Sequence, residues 1–411
     1  MRKNGFTLIE LLAVIIIISL TSLIIFPAIG KVIKSSKESL HQEQLLDIEE
    51  ATEKWATDNM NLLDEYHLNI IYIDLKSIRN AGYLEKDEIK NPLTNEIMNG
   101  CIQVKYDLSK QKYNFVYEEL ACNSYASSSD INSESGYIIY SYNTKSKQYE
   151  TSSDSVIHKP AGLKIYEYYL DKNLIKADGE TGDGLYETEE EYVFRGENPN
   201  NYVTLQGIDS SGNTKNTSWR ILGINKKDYS IRLIGTTVFA TNVWNSSGKV
   251  LFSDSESDYS IGVKLADIDY GSSKIFTSEY KNSIITGEEM SVVSLNSTLQ
   301  ENKTSLKTGT ISVFDYVNAS ATLECQKNYL SIECKNSNYL YQMFGTSNST
   351  WTSNTNGSQV WYISTDGSLA TENSGVSTKS IYPVITLNTN TYIDESKGNP
   401  TGTADFKYIL K

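Results

Sequence analysis

Hydrophobic positions are spread unevenly along this chain, and the unevenness predicts its elements. From Leu11 to Gly30 runs an uncharged stretch of twenty residues dense in Ile and Leu. As a helix rising 1.5 Å per residue it would span the ~30 Å hydrocarbon core of a membrane. From Lys31 the pattern turns amphipathic. Leu45, Ile48, Thr52 and Trp55 recur at three- and four-residue spacing among Lys37, Glu38, Glu43, Asp47, Glu50 and Lys54, as in a helix with one covered face. The two stretches predict one long helix that fades after Thr57-Asp58-Asn59. Ile70–Gly82, carrying Ile71, Ile73, Leu75 and Ile78, reads as a short helix stopped by glycine. Cys101–Tyr106 and Tyr113–Tyr117 alternate in polarity and read as a hairpin across Ser109-Lys110-Gln111-Lys112.

Residues 124–156 are thick with Ser, Asn, Asp, Glu, Lys and Tyr and read as a connector. Their one apolar run, Tyr137-Ile138-Ile139-Tyr140, could add a strand. Beyond, residues 157–411 carry short β-rich runs among Ser, Thr, Asn and Gly. Trp219–Ile224 and Tyr229–Gly235 form a hairpin pattern, Val360–Ile363 and Ser368–Ala370 flank a Thr365-Asp366-Gly367 turn, and Tyr382–Leu387 is a further strand opened by Pro383. Helices are expected at 278–284 and 313–320. The expected class is α+β: a long N-terminal helix, membrane-spanning in its first half, packed on a small antiparallel-sheet head, plus a larger, predominantly β C-terminal domain. The divisions are 1–5 leader, 6–30 apolar helix, 31–123 helix and head, 124–156 linker and 157–411 surface domain.

Composition narrows the function classes. A hydrophobic content of 39% supports packed cores. A net charge of −14 argues against direct nucleic-acid binding, which needs a basic face. The three histidines are His41, His67 and His158, so residues 159–411 hold none. That excludes a serine–histidine triad or a His-ligated zinc confined to that segment, and the chain is expected not to be an enzyme. The mean hydropathy of −0.39 averages a lipid-soluble rod with a polar remainder.

The chemistry at the head of the apolar stretch is specific. Arg2 and Lys3 flank it on the short side, which by the positive-inside rule stays in the cytoplasm. Glu10 is a carboxylate at the start of a segment suited to lipid, where ionisable groups are costly and need a partner. Cutting between Gly5 and Phe6 would leave a positive amine on Phe6, one helical turn from Glu10 in its own chain or an adjacent subunit. Such a pair between subunits would fix axial register.

Gly5-Phe6-Thr7-Leu8-Ile9-Glu10-Leu11-Leu12 resembles the cleavage and methylation signature of type IV prepilins and type II secretion pseudopilins. The resemblance implies cleavage after Gly5 by prepilin peptidase and N-methylation of Phe6. It also implies a pairing of Glu10 with a neighbour's Phe6 amine, and extraction of the helix from the cytoplasmic membrane into a filament of pilin subunits. Pro27 fits as a helix-loosening proline, or equally as the end of the membrane segment. The order of elements after the helix is similar to the small head of minor pilins and pseudopilins.

Other candidates have structural readings beside functional ones. Cys101 and Cys122 are a disulfide candidate or two buried thiols, and Cys325 and Cys334 read as a local disulfide. No metal site and no cofactor are expected, with Ca2+ as the one alternative. Asp178–Gly184 offers oxygen ligands at spacings a calcium loop could use, or is a solvated acidic turn. Tyr229, Trp244, Tyr259, Tyr270, Trp351 and Trp361 could line a glycan-stacking surface or lie in the core. The C-terminal segment also resembles, at a distance, C-type-lectin-like and formylglycine-generating-enzyme-like extracellular domains of Gram-positive bacteria. It carries Glu197-Asn198-Pro199-Asn200 in place of their Glu-Pro-Asn.

The expected function is a minor type IV pilin-like subunit that displays a C-terminal binding or adhesion domain, with a surface glycan or protein as ligand. Its expected location is the cytoplasmic membrane as a single-pass protein, N-terminus inside, and then the extracellular filament. The alternatives are a pseudopilin of a secretion or DNA-uptake machine, and a membrane-tethered surface enzyme using acidic clusters such as Asp254/Glu256/Asp258 and Asp267/Asp269.

Overall fold

The computed structural model describes residues 7–85, 88–107, 110–126, 136–208, 214–248, 250, 261, 308–322, 324–325, 332–345, 347–356, 358–398 and 400–411. The expected helix at 278–284, Tyr259, Tyr270 and the acidic clusters at 254–269 lie outside these residues. The chain divides into two compact units, Met1–His158 and Lys159–Lys411.

In the first unit, α1 (Leu8–Asp58) is a single helix of 51 residues. It continues through position 27 without interruption, so Pro27 does not end it. A proline at that depth has no N–H to give to the carbonyl four residues back. The stripe Leu45, Ile48, Thr52 and Trp55, with Ala51 and Ala56, packs on one face of a five-stranded sheet. The sheet is built from β1 (Asn69–Asp74), β2 (Cys101–Asp107), β3 (Lys112–Glu118), β4 (Gly136–Asn143) and β5 (Gln148–Thr151), in the order β3-β2-β1-β4-β5. The β1–β4 pair is parallel and the other pairs are antiparallel.

Two expectations change here. The helix expected over 70–82 is only α2 (Leu75–Asn80), and the residues before it are β1, the central strand. Ile71 and Ile73 face α1 while Ile70 and Tyr72 face the opposite cluster, so an apolar run marks a strand covered on both faces. Asp74 switches the chain to helix by capping it, its carboxylate accepting from the Ser77 N–H at 2.6 Å. Gly82, at φ +91°, closes the turn after α2.

The stretch read as a connector is the second change. Its residues 136–151 form β4 and β5, and Ile138 and Tyr140 join the core under α1. The run Tyr137–Tyr140, read as one added strand, lies in β4, and β5 is the strand that the polar residues concealed. A disulfide joins Cys101, at the start of β2, to Cys122 in α3 (Cys122–Ala126). Both sulfurs sit with Ile70, Tyr72 and Ile139 on the sheet face away from α1.

The second unit opens with α4 (Ala161–Asp171), whose Ala161, Ile165 and Tyr169 are buried. Its larger sheet is built from β6 (Ile175–Lys176), β7 (Gly184–Glu187), β8 (Glu191–Arg195), β9 (Tyr202–Ile208), β10 (Thr214–Asn225), β11 (Ile231–Gly235), β13 (Gly309–Thr310), β18 (Pro383–Leu387) and β19 (Tyr408–Leu410). The main order is β13-β18-β11-β10-β8-β7-β6, with β9 branching from β10 and β19 pairing with β9. The expected 219–235 hairpin is β10–β11, and Pro383 does open its strand. Strand β10 pairs with β9 through Arg220 and with β8 from Gly223, and between these its register against β11 shifts, between Ile221 and Gly223. The shift lets one long strand serve two partners on the same side.

A second sheet follows the order β12-β17-β14-β15-β16, from β12 (Ala240–Asn242), β17 (Lys379–Ile381), β14 (Thr350–Asn356), β15 (Gln359–Ile363) and β16 (Leu369–Asn373). Short helices α5 (Val313–Asn318) and α6 (Tyr339–Phe344) pack into the same core as the larger sheet. The Arg232 guanidinium ties this core together by pairing with Glu191 at 2.8 Å and with Asp315 at the head of α5.

Candidate functional site

The candidate site is the N-terminal half of α1. Thr7 is its N-cap, in extended conformation at φ −78° and ψ 150°. The Thr7 N–H and hydroxyl both donate to Glu10 Oε2 at 2.9 Å, and the Glu10 N–H donates to Thr7 Oγ1 at 3.4 Å. This is a reciprocal capping box, which satisfies helix-end donors that have no partner in the helix itself. The carboxylate that stood out in the sequence therefore has a partner in its own chain. Thr7-Leu8-Ile9-Glu10 carries the Thr-x-x-Glu signal for this box, and reading Glu10 only against an amine overlooks it. Gly5 and Phe6 lie outside the described residues.

Behind the cap, the apolar side chains have no cover. Leu8 is 80% exposed and Ile9 78%, and Leu11, Leu12, Val14, Ile15, Ile16, Ile17 and Ile18 are all exposed. Two polar side chains in this stretch are satisfied by the helix itself. Ser19 donates to the Ile15 carbonyl at 2.7 Å, and Thr21 donates to the Ile17 carbonyl at 2.9 Å. Such back-bonding hides a hydroxyl where no water is present to meet it. The side chains of Leu20 and residues 22–28 are outside the description. Among the described residues, no helix is long and apolar enough to cross a membrane.

The candidates of the second unit are engaged in structural bonds. In the acidic turn, Asp178 pairs with Arg195 at 2.6 Å and Glu180 accepts from the Ala177 N–H at 2.7 Å. Asp183 accepts from the Glu197 and Asn198 N–H groups at 2.7 and 3.2 Å. Among the described residues, no three His, Cys, Asp or Glu side chains group as a metal site. In the loop at Glu197–Asn200, Arg220 donates to the Pro199 carbonyl at 3.1 Å and to Asn201 Oδ1 at 2.5 Å. Its guanidinium lies over the Tyr202 ring, 3.7 Å from the centroid. Burial pushes the Arg220 pKa down, opposed by Tyr339, Tyr202 and Asp183.

Among the described residues, the aromatic candidates do not make a surface. Trp244, Trp351 and Trp361 are buried, Trp244 and Trp351 meet edge to face at 6.1 Å, and Tyr229 packs on the core of the larger sheet. Trp351 also donates to the Asn242 carbonyl at 2.9 Å, while Lys379 Nζ crosses its ring to Glu372 at 2.5 Å. Hairpin strands rich in aromatics bury them by cross-strand pairing, which explains the difference from a stacking surface. Cys325 is buried and disulfide-bonded, and the Cys334 side chain is outside the description.

No curated protein and no solved structure matches the chain, so the lectin-like resemblance of the C-terminal segment has no support. The N-terminus does have a match. Residues 1–26 fit the family model described as prokaryotic N-terminal methylation motif, which marks this as a type IV pilin-like or pseudopilin N-terminus.

Proposed function

We propose that the chain is a minor type IV pilin-like subunit. It is held in the cytoplasmic membrane by the first half of α1, cleaved after Gly5 by prepilin peptidase and assembled with other pilins into a surface filament. The carrying observation is the run of uncovered apolar side chains between Leu8 and Ile18, which lies within the residues that match the methylation motif. Apolar side chains along a whole helix circumference call for an apolar solvent or other helices. The helix supports both in turn, because its Ser19 and Thr21 hydroxyls are already bonded. Size favours a minor place: the unit 159–411 on every subunit would crowd its neighbours. That unit is then the displayed part, with adhesion to a surface glycan or protein as its role.

Mass spectrometry of the mature N-terminus is the test, with N-methyl-Phe at position 6 as the expected result. An intact Met1 start in the assembled protein would overturn the reading. In the same cells, Glu10→Val should leave cleavage in place and abolish recovery in the filament fraction.

A further inference from the structure

We propose that the second unit binds a neutral saccharide in a cavity beside α4, with the buried Tyr408 hydroxyl as its innermost contact. The inference rests on the reading of this unit as the displayed, adhesive part, and it adds the place and class of the ligand. Along α4, Ala161, Ile165 and Tyr169 form the line buried in the core. Lys164, Tyr168, Asp171 and Lys172 recur at three- and four-residue spacing beside that line, which sets them on one adjoining stripe. With Ile393, Pro400 and Tyr408 this stripe lines a cavity of about 510 Å³. Ligand pockets usually measure about 300–1,000 Å³, so the space admits a small molecule.

The cavity holds a polar group that the fold leaves unsatisfied. Tyr408 is 2% exposed, and its hydroxyl is buried with no hydrogen-bond partner among the described residues. A buried hydroxyl without a partner costs free energy, so it marks a place where another polar atom belongs. The ring is held by close packing: a Cβ on Gly402, at φ +76°, would come within 2.3 Å of Tyr408 Cε2. Burial pushes the hydroxyl pKa up, and Tyr169 and Tyr168 add to it, so the group keeps its proton and can donate. None of the described residues around a second cavity, of about 390 Å³ beside Phe406 and Ile409, has such an atom.

The charges around the larger cavity decide the class of ligand. Lys164 pairs with Glu395, Lys159 pairs with Glu167 at 2.8 Å, and Lys172 Nζ lies 4.9 Å from the centre of the Tyr168 ring. The ammonium groups are thus engaged by carboxylates or by a ring, which disfavours an anionic ligand. Asp171 is exposed and has no ion-pair partner among the described residues. A lone exposed carboxylate holds a cation weakly, but it accepts hydrogen bonds from hydroxyls. Ile165, Tyr168, Ile393 and Pro400 add apolar walls. Apolar walls, a donor inside and an acceptor at the rim suit a ligand with apolar faces, hydroxyl edges and no net charge. A sugar ring has that surface, and each of its hydroxyls can meet a donor or an acceptor.

Saturation-transfer NMR on the full chain, held in a detergent without a sugar headgroup, tests the cavity. The probes are N-acetylglucosamine, galactose and mannose in turn, with trialanine as the peptide counterpart. Transfer to at least one sugar and none to trialanine is the expected result. Tyr408→Phe should weaken that binding several-fold and leave the thermal midpoint unchanged or higher, because the hydroxyl it removes has no partner in the free chain. Thr401→Trp, which fills the cavity from its lining, should abolish binding. No transfer to any of the three sugars, transfer to trialanine in place of a sugar, or sugar binding that both variants leave intact overturns the proposal. Mass spectrometry of the N-terminus of the same protein keeps the two readings apart. Chains with N-methyl-Phe at position 6 that bind no sugar overturn the ligand and leave the filament reading standing. Assembled chains that bind sugar but keep an intact Met1 overturn the filament reading and leave the ligand standing.

Discussion

The two halves of α1 are one continuous helix with opposite fates for their apolar side chains. Over residues 45–56 the apolar positions form a stripe, and a sheet of the same chain covers it until Ile48 and Trp55 have no exposed surface. Over residues 8–18 the apolar positions surround the helix and nothing in the described residues covers them. A stripe can be buried by one partner, whereas a full circumference needs a solvent or a ring of neighbours. The contrast locates what the fold leaves to its surroundings. It also explains why polar atoms are treated alike in both halves: Thr52 donates to the Ile48 carbonyl at 2.7 Å, as Ser19 does to Ile15.

The largest effect should come from the covered half. Trp55 is fully buried and meets Tyr149 edge to face at 5.7 Å. Trp55→Ala should cost the first unit about 3–5 kcal/mol, the usual range for removing a large core aromatic. Denaturant unfolding of the full chain in detergent, followed at the first unit, measures it. A loss under about 1 kcal/mol would mean that the sheet does not hold this half of the helix.

A smaller effect should come from the bend that leads into the covering sheet. His67 stacks on Tyr106 at 3.6 Å and its Nδ1 lies 3.3 Å from the Tyr113 hydroxyl. Burial holds its pKa below the ordinary value, with Asp64 opposing. The folded state therefore binds fewer protons than the unfolded state in the window below about pH 6.5, and stability falls as pH drops through it. Its backbone is left-handed at φ +56°, which asparagine tolerates. His67→Asn should remove this pH dependence while lowering stability at every pH, and an unchanged pH profile would exclude His67 as its source.

Much of the first unit was legible because its periods are clean. The long helix, its Leu45–Trp55 stripe and the 101–117 hairpin follow from spacing that the structure keeps, while Cys101 and Cys122 take the first of the two states their sequence left open. The methylation motif was legible because it is contiguous and sits before an apolar run. Strand β1 was misread because Leu75 and Ile78 extend its apolar run at helical spacing, and only the capping by Asp74 shows where the period changes. In the 124–156 stretch the apolar run of β4 was visible, whereas β5 was hidden because its exposed residues resemble those of a connector. In the second unit, composition could not tell a surface aromatic from a core one. That distinction is made by cross-strand partners such as Trp351 and Tyr362, which only the register supplies.

The bare half gives the smallest effect on stability and the sharpest test of the contrast. Ile16 is half-exposed and no described residue outside its own helix covers it. Ile16→Ala removes apolar surface that the isolated subunit does not bury, so its unfolding in detergent should change by less than about 0.5 kcal/mol. Alanine also forms helix at least as well as isoleucine, so no loss is expected from the backbone. In an assembled helix bundle the same side chain would be covered, and burying a side chain of this size is worth about 1.5–3 kcal/mol. Wild-type and Ile16→Ala chains expressed together, with different tags, should therefore be equally stable as monomers and unequal in the filament fraction, the variant being depleted. Equal recovery would mean that position 16 stays bare after assembly, and that the two halves differ in composition without differing in what eventually covers them.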